Sequence, residues 1–191
     1  MQSPNFDVII IGAGAAGLMC AQFAAAKGLR TLILDHSSRL AEKIRISGGG
    51  RCNFTNLNAS PANYISNNPH FATSALSRYT PQHFCELLDW HGISYHEKTL
   101  GQLFCDDKSQ AIIDLLDHLC QENHVQRKMN TSVLKIDKTT TGFELSTTQG
   151  SFNCAKLVIA TGGLAIPQIG ATGFGYQIAQ QFNLNVIPTA P

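Results

Sequence analysis

The chain begins with an apolar run, a helical segment and a second apolar run. Residues 7–12 contain the continuous run VIIIG, which is typical of a parallel strand covered on both faces. Residues 14–27 are rich in alanine and predict a helix, with Gly28 as the glycine that ends it. Residues 29–34 predict a second apolar strand, which ends at Asp35. The pattern therefore predicts one compact βαβ unit.

The pattern then changes. Periodicity disappears between residues 36 and 58, where glycine, arginine, serine and asparagine predict a long loop of the kind that usually has a function. Helical spacing resumes further on and predicts three helices, at residues 71–77, 81–91 and 109–122. A short strand is predicted between the last two of them, at residues 93–97. Ser109 is the candidate N-cap of the third helix.

A period of two replaces the helical spacing in the remaining sequence. It predicts a three-stranded antiparallel meander at residues 132–137, 142–147 and 151–154, and then a buried strand at residues 156–160. A glycine-rich turn is predicted at residues 161–175, a helix at 176–182 and the start of a further strand at 184–191. The predicted fold class is α/β, with a parallel sheet, an antiparallel β-meander and inserted helices.

The composition excludes two classes of protein. Of the 191 residues, 43% are hydrophobic and 14% are charged, whereas a soluble domain averages about 25% charged residues. This composition excludes a disordered chain. The formal net charge of +1 also excludes a basic field that would hold nucleic acid through counterion release alone.

Targeting signals and cysteine spacing bear on the compartment. The first apolar run is too short for a signal peptide, and no apolar stretch approaches the length of a membrane helix. The six cysteines are scattered without CxxC spacing. We expect a cytoplasmic protein with reduced, buried cysteines, no metal site and no membrane contact.

The strongest local motif is GAGAAG, between the first strand and the first helix. Gly12 permits the tight turn, Gly14 lets a pyrophosphate approach the backbone, and Gly17 allows the helix to pack closely on the strand. Ala15 and Ala16 lie in the first helical turn, whose free N–H groups attract phosphate. The motif and its context predict dinucleotide binding.

Three further residues extend this predicted site. Asp35 ends the second strand, where a carboxylate can accept hydrogen bonds from ribose hydroxyls. His36 beside it is a second cofactor-binding candidate. Lys43 is a candidate phosphate or ribose contact, although an exposed lysine without a ligand is an equal alternative.

The order of elements favours FAD over NAD as the dinucleotide. A simple NAD-binding domain would continue with βαβ units, whereas here a loop, helices and a meander intervene before the last strand. This order resembles that of flavoproteins with two dinucleotide-binding domains. The resemblance implies that Thr161, Gly162 and Gly163 pass close to the dinucleotide and that a backbone amide near Val133 meets the adenine.

A second glycine-rich motif, SGGGRCNFTN, lies at residues 47–56. Consecutive glycines are tolerated in a folded loop where the backbone approaches another group or has a positive φ. The candidate cofactor contacts in it are Gly49, Gly50, Arg51, Cys52 and Asn53. Arg51 either contacts flavin or phosphate or pairs with a carboxylate. The catalytic residues are unknown from the sequence. Cys52 is a candidate if the neighbouring arginine lowers the pKa of its thiol, and otherwise it is a small side chain packed in a tight loop.

Five sequence pieces together resemble the N-terminal part of the YhiN/BaiN family of FAD-dependent oxidoreductases, the HI-type flavoproteins. The pieces are IIIGAGAAG, SGGGRCNFTN, HEKTLGQLFCDD, KLVIATGG and GATGFGYQIAQQF. Many members carry arginine and proline where Gln102 and Cys105 stand here, so no role of an arginine at position 102 is carried over.

The resemblance implies both a fold and an activity. The fold is a Rossmann-like FAD-binding domain over residues 1–191, with the substrate-side domain and a C-terminal flavin-site segment lying outside this sequence. The implied activity is an FAD-dependent oxidoreductase that takes electrons from NAD(P)H and reduces an activated C=C bond. Family substrates are steroid enones and uracil of large-subunit ribosomal RNA, and the motifs favour the ribosomal RNA branch.

Two alternatives stay open from the sequence. The chain is an FAD-binding module or fragment without turnover, or it is a dehydrogenase that binds NAD alone. Retention of flavin by the purified protein distinguishes the NAD-only dehydrogenase from the FAD-dependent oxidoreductase and from the FAD-binding module.

Overall fold

The computed structural model describes residues 5–188, and the chain forms two compact units. The first unit comprises Met1–Lys43 and Leu116–Pro191, and the second comprises Ile44–Leu115. The prediction of one FAD-binding domain over residues 1–191 stays a prediction.

The chain contains nine strands and six α-helices within the described residues. The strands are β1 (Phe6–Ile11), β2 (Thr31–Leu34), β3 (Asn53–Asn56), β4 (Tyr95–Glu97), β5 (Gln102–Cys105), β6 (Gln126–Lys128), β7 (Val133–Lys138), β8 (Phe143–Thr147) and β9 (Gly150–Ile159). The helices are α1 (Ala15–Ala25), α2 (Glu42–Ile46), α3 (Thr73–Arg78), α4 (Pro81–Trp90), α5 (Gln110–Glu122) and α6 (Phe174–Gln181). Short 3₁₀ turns lie at Ser47–Gly50, Pro61–Asn63 and Pro167–Ile169.

The first unit is built on a six-stranded sheet in the order β6-β2-β1-β9-β8-β7. The strands β6, β2, β1 and β9 are parallel, and β9, β8 and β7 form the antiparallel meander. Helix α1 connects β1 to β2, and Gly28, with a φ of 79°, follows its end. The predicted α/β class, with its βαβ unit and meander, is confirmed.

The strand β9 corrects the sequence prediction. Two strands were expected, at residues 151–154 and 156–160, but β9 is one strand of ten residues. Its first half pairs with β8 and its second half with β1, and Cys154 is in register with both Phe143 and Phe6. Because the two halves of β9 pair with different strands, their hydrophobic patterns differ, and the sequence therefore predicts two separate strands. Its second half was also expected to be buried, but Ile159 is exposed.

The region predicted as an irregular loop, residues 36–58, also differs from expectation. It contains α2, a 3₁₀ turn and β3. The strand β3 pairs with β5, which was not predicted either and lies far along the chain. Strand β6 is likewise additional. These strands have only three or four residues, which is too short for a clear alternation of apolar and polar residues.

The end of the chain carries a further correction. A strand was expected at residues 184–191, but residues 184–188 have no regular secondary structure, and 189–191 lie outside the described residues. The other predicted helices and strands are confirmed, with boundaries shifted by a few residues.

The parallel strands of the first unit are buried on both faces, since the consecutive residues Ile9 and Ile10 are both fully buried. The buried cluster comprises Phe6, Ile9, Ile11, Leu32, Leu34, Ile136, Leu145 and Cys154. Its members come from both the parallel strands and the meander. The meander is therefore packed into the same core as the parallel sheet.

The second unit contains a three-stranded antiparallel sheet in the order β3-β5-β4. Helix α4 begins with Pro81 and is capped by Thr80, whose side chain accepts a hydrogen bond from the His83 backbone N–H, and its buried residues are Cys85 and Leu88. No helix in the described chain is long and apolar enough to span a bilayer. All six cysteines are free, and all but Cys20 are buried.

We expect Ile136→Ala to lower the free energy of unfolding by about 2–5 kcal/mol, because it opens a cavity where the side chain is fully buried. Leu134 lies on the same strand but is exposed, and Leu134→Ala should change that free energy by less than about 0.5 kcal/mol. Urea unfolding followed by circular dichroism measures both. Equal losses for the two variants would contradict the register given for β7.

Candidate functional site

The turn after β1 brings backbone unusually close to backbone. Gly12 has a φ of 112°, and a Cβ there would overlap the carbonyl oxygen of Ala160. A Cβ at Gly17 would overlap the carbonyl oxygen of Gly12 itself. Gly17 is therefore required by the close approach of helix α1 to the turn, the role predicted for it, and Gly12 by the close approach of the chain that follows β9.

The next glycine of the motif faces open space. A Cβ at Gly14 would meet nothing within 4 Å. Ala15 and Ala16 follow it in the first turn of α1 and are exposed. The first turn contains no acidic residue, and no side chain caps the helix. Free N–H groups at a helix N-terminus beside an open backbone form an arrangement that binds phosphate.

The carboxyl edge of the sheet brings three candidate segments together. The Gly12 N–H donates to the Leu34 carbonyl (2.8 Å), and the Ala160 N–H donates to the Ile11 carbonyl (2.8 Å). The residues that follow β1, β2 and β9 therefore share one edge. Ligands of open α/β sheets bind beyond this edge.

Asp35 has a role that the sequence did not reveal. One carboxylate oxygen accepts from the Ala13 N–H (2.6 Å), and the other accepts from the Ser37 N–H (2.8 Å). The carboxylate therefore stabilises the glycine turn. His36 lies against the segment that follows β9, since a Cβ at Gly170 would be 2.7 Å from the His36 Nε2 atom.

The ATGG turn after β9 combines a packed residue with an open one. A Cβ at Gly175 would lie 3.1 Å from Thr161 Oγ1, so Thr161 is close to the start of α6. Gly162 has a φ of 72° and open space at its Cβ position. The Cβ position of Gly163 is 3.7 Å from the Tyr176 hydroxyl. The exposed backbone of Gly162 is the part of this turn that a ligand can approach.

Val133 and Lys43 complete the candidates of the first unit. Val133 opens β7 opposite Thr147. It lies two residues after Thr131, whose N–H donates to the Asp35 carbonyl (2.8 Å). Lys43 is exposed on α2, and none of the ion pairs among residues 5–188 involves it.

The glycine-rich loop belongs to the second unit. Gly48, Gly49 and Gly50 all have positive φ values of 58°, 66° and 87°. A Cβ at Gly48 would lie 2.7 Å from the Asn53 backbone nitrogen and 2.8 Å from the Phe104 ring, whereas Gly49 and Gly50 face open space. The predicted reason for the glycines, close approach or positive φ, is confirmed.

Arg51 and Cys52 in this loop differ in exposure. Arg51 is exposed, and the described residues provide it with no ion pair. Cys52 is 3% exposed, and burial raises the pKa of its thiol. The premise of a lowered pKa is therefore wrong. Asn53 is exposed on β3 in register with Phe104.

The structure also pairs two polar residues that the sequence did not connect. His96 Nδ1 lies 2.6 Å from a carboxylate oxygen of Asp106. The His96 ring stacks on Phe104 with centroids 6.3 Å apart, and the Lys98 ammonium lies 5.2 Å from the same ring. Only the pairing of β4 with β5 brings these side chains together.

We expect Asp35→Ala to lower the free energy of unfolding by about 1–3 kcal/mol, because the buried Ala13 N–H loses its acceptor. Asp137→Ala is the matched control, since it removes an exposed carboxylate paired with Lys135 and should cost less than about 1 kcal/mol. Chemical unfolding at neutral pH measures both. Equal costs would contradict the structural role of Asp35.

Comparison with known proteins adds the family. The family model of the HI0933-like protein Rossmann domain matches residues 6–190. The chain is 53% identical to the ribosomal RNA dihydrouridine synthase of Escherichia coli, over 97% of this chain and 46% of the relative. It is 25% identical to the 3-dehydro-bile acid delta(4,6)-reductase of Clostridium scindens, over 95% of this chain and 45% of the relative. The chain thus spans about half the length of the curated relatives it matches.

Solved structures of lower identity share the fold. The 3-ketosteroid-delta4-(5alpha)-dehydrogenase from Rhodococcus jostii RHA1 has a TM-score of 0.63 at 14% identity, over 86% of this chain and 48% of that chain. Glycine oxidase from Geobacillus kaustophilus has a TM-score of 0.60 at 17% identity, over 88% of this chain and 58% of that chain. The Rossmann-like class is therefore confirmed. Because the family model spans nearly the whole chain, the protein belongs to the HI0933-like family and carries its Rossmann domain.

Proposed function

We propose that the protein is an FAD-dependent oxidoreductase that uses NAD(P)H as electron donor and reduces an activated C=C bond. The observation that carries the cofactor assignment is the open Gly14 backbone at the uncapped N-terminus of α1. A dinucleotide brings a pyrophosphate, which is the group that such a helix end binds.

The residues at the carboxyl edge of the sheet fit this cofactor. Ala15 and Ala16 would direct their N–H groups to the pyrophosphate, and Gly14 leaves room for it. Each carboxylate oxygen of Asp35 accepts one hydrogen bond, and a carboxylate oxygen can accept more than one. It therefore retains acceptor capacity for ribose hydroxyls.

The remaining candidates would surround the rest of the cofactor. In this proposal His36 and Lys43 contact ribose or phosphate, the amide near Val133 meets adenine, and Thr161 to Gly163 approach the dinucleotide. Gly49 to Asn53 face the flavin, with Arg51 available to an anionic group. Bound FAD would supply the hydride transfer itself, while the protein provides binding and orientation.

The substrate proposed is uracil in large-subunit ribosomal RNA, which would be reduced to dihydrouridine. The similarity to the Escherichia coli ribosomal RNA dihydrouridine synthase supports it. The bile acid reductase of Clostridium scindens is also a relative, and reduction of a conjugated C=C bond is common to the two proposed reactions. We place the protein in the cytoplasm, where free cysteines such as these stay reduced.

We expect Gly14→Ala to weaken FAD binding by about tenfold or more, because its methyl group fills the space left for the pyrophosphate. Its stability should change by less than about 0.5 kcal/mol. Gly17→Ala is the contrast: the new methyl group meets the Gly12 carbonyl, and unfolding should become easier by about 3 kcal/mol or more. Flavin absorbance after gel filtration and thermal unfolding measure the two effects. Full flavin retention by Gly14→Ala would contradict the pyrophosphate position.

The activity is tested on the natural full-length protein. Mixed anaerobically with NADPH or NADH, it should lose its flavin absorbance, and deletion of its gene should remove a dihydrouridine from large-subunit ribosomal RNA. A yellow protein that neither donor bleaches would refute the nicotinamide step and leave an FAD-binding module. Unchanged dihydrouridine in the deletion strain would refute the RNA substrate. A protein that binds NADH but takes up no FAD would be an NAD-only dehydrogenase.

A further inference from the structure

The second unit presents a run of exposed residues between β3 and α3. Every residue from 62 to 71 is exposed. Among them Tyr64 is 50% exposed and Phe71 75%, and Ile65 is fully exposed. Three large hydrophobic side chains exposed within residues 64–71 make this run a candidate interaction surface.

A groove lies beside this run. Its main cavity, of about 380 Å³, is lined by Asn56, Asn58, Ala59, Asn63, Tyr64 and Leu100. A second depression of about 270 Å³ shares Ala59 with it and also includes the hydroxyl residues Ser60, Thr73, Ser77 and Thr80. We call the two together the asparagine groove. Its main cavity has the volume of a small-ligand site.

Leu100, which lines the asparagine groove, has a strained backbone conformation. Leu100 has a φ of 51° and is 88% exposed, so burial does not explain its conformation. Its carbonyl accepts from Asn56 Nδ2 (3.0 Å) and Asn58 Nδ2 (3.4 Å). The Gly101 N–H donates to a Glu97 carboxylate oxygen (2.9 Å). Strain that the surroundings hold in place is characteristic of binding sites.

Two asparagines retain unused hydrogen-bonding atoms. Asn63 Oδ1 accepts from the backbone N–H (2.8 Å) and the hydroxyl (2.9 Å) of Ser60, which leaves Nδ2 as a donor. Asn58 uses Nδ2 toward Leu100, which leaves Oδ1 as an acceptor. Neither atom has a partner within residues 5–188. A donor and an acceptor beside an aromatic ring match the edge and the face of an unpaired nucleobase.

The charge of the surrounding sequence suits a polyanion. Residues 44–85 contain no aspartate or glutamate but three arginines and six asparagines. Arg78 ends α3, next to the groove residue Ser77, and is exposed. Glu97 is the acid beside the groove, and its carboxylate is engaged by Gly101. Phosphates would meet the Arg78 guanidinium and the groove hydroxyls here with little repulsion.

We infer that the asparagine groove binds an unpaired nucleotide of an RNA strand. Tyr64 stacks on the base, Asn58 and Asn63 bond its edge, and Arg78 contacts the phosphate backbone. The identity of the polymer as RNA rests on the proposed function. The groove itself is assigned from contacts within the second unit.

The test uses the natural full-length protein and a fluorescein-labelled oligouridine at fixed salt. Tyr64→Ala should weaken binding by about 5- to 150-fold, the range for loss of one base–aromatic stack, and Tyr64→Phe should restore it. Trp90→Ala is the matched control, because Trp90 is an 86% exposed aromatic residue of the same unit outside the groove. It should bind as the wild type does.

A second pair of variants tests whether the side-chain amide of Asn63 contributes to RNA binding. Asn63→Asp keeps the Oδ1 acceptor for Ser60 but replaces the free donor, and it should weaken binding. Asn67→Asp adds the same charge to the same exposed run and should weaken binding less. Equal losses would show binding by charge alone and overturn the groove.

Flavin content and ribosomal dihydrouridine are measured on the same variants, so that the two proposals fail separately. Wild-type affinity in Tyr64→Ala and Asn63→Asp, with dihydrouridine formed, would overturn the groove while the proposed function stands. Failure of the wild type to form dihydrouridine would refute the substrate, and failure to bind oligouridine would overturn the groove. Altered self-association of Tyr64→Ala with unchanged RNA binding would assign the surface to a protein partner and overturn it as well.

Discussion

The close approach of helix α1 to the turn after β1 is the contact on which the first unit depends. The Gly12 carbonyl lies where a side chain at Gly17 would be, and the Ala160 carbonyl lies where a side chain at Gly12 would be. Backbone meets backbone, so the helix N-terminus is fixed at the edge of the sheet. Its N–H groups then face the open space beside Gly14. The Asp35 carboxylate stabilises the same turn through Ala13, which joins the end of β2 to the glycine turn.

The long strand β9 is the second constraint on this unit. It takes part in the meander over its first half and in the parallel sheet over its second half. Cys154, at the change of partner, is buried in the common core. A single strand thus carries the chain from the meander to the edge beside Gly12, and the ATGG turn follows there. The position of Thr161 and Gly162 is a consequence of this shared strand.

In the second unit, Phe104 on the central strand organises the groups around it. The Gly48 backbone packs against one side of its ring, while His96 stacks on it and Lys98 lies above it. The glycine loop therefore has a rigid support despite three positive φ values. The other end of the same sheet carries Leu100 and the asparagines. Both features of interest rest on the pairing of β5 with its two neighbours.

Local sequence determined much of this protein. The βαβ unit, the reason for Gly17 and the positive φ values of the SGGG run follow from short motifs, because each depends on neighbours a few residues away. The family also follows from such motifs. Tertiary structure decided the rest. Four features depend on groups that are distant in the sequence. They are the single strand β9 in place of two predicted strands, the β3–β5 pairing inside a predicted loop, the hydrogen bond from Ala13 to Asp35 and the raised pKa of Cys52. Sequence patterns report the conformation of a segment, whereas its hydrogen-bond partners and its burial are set only when distant segments meet.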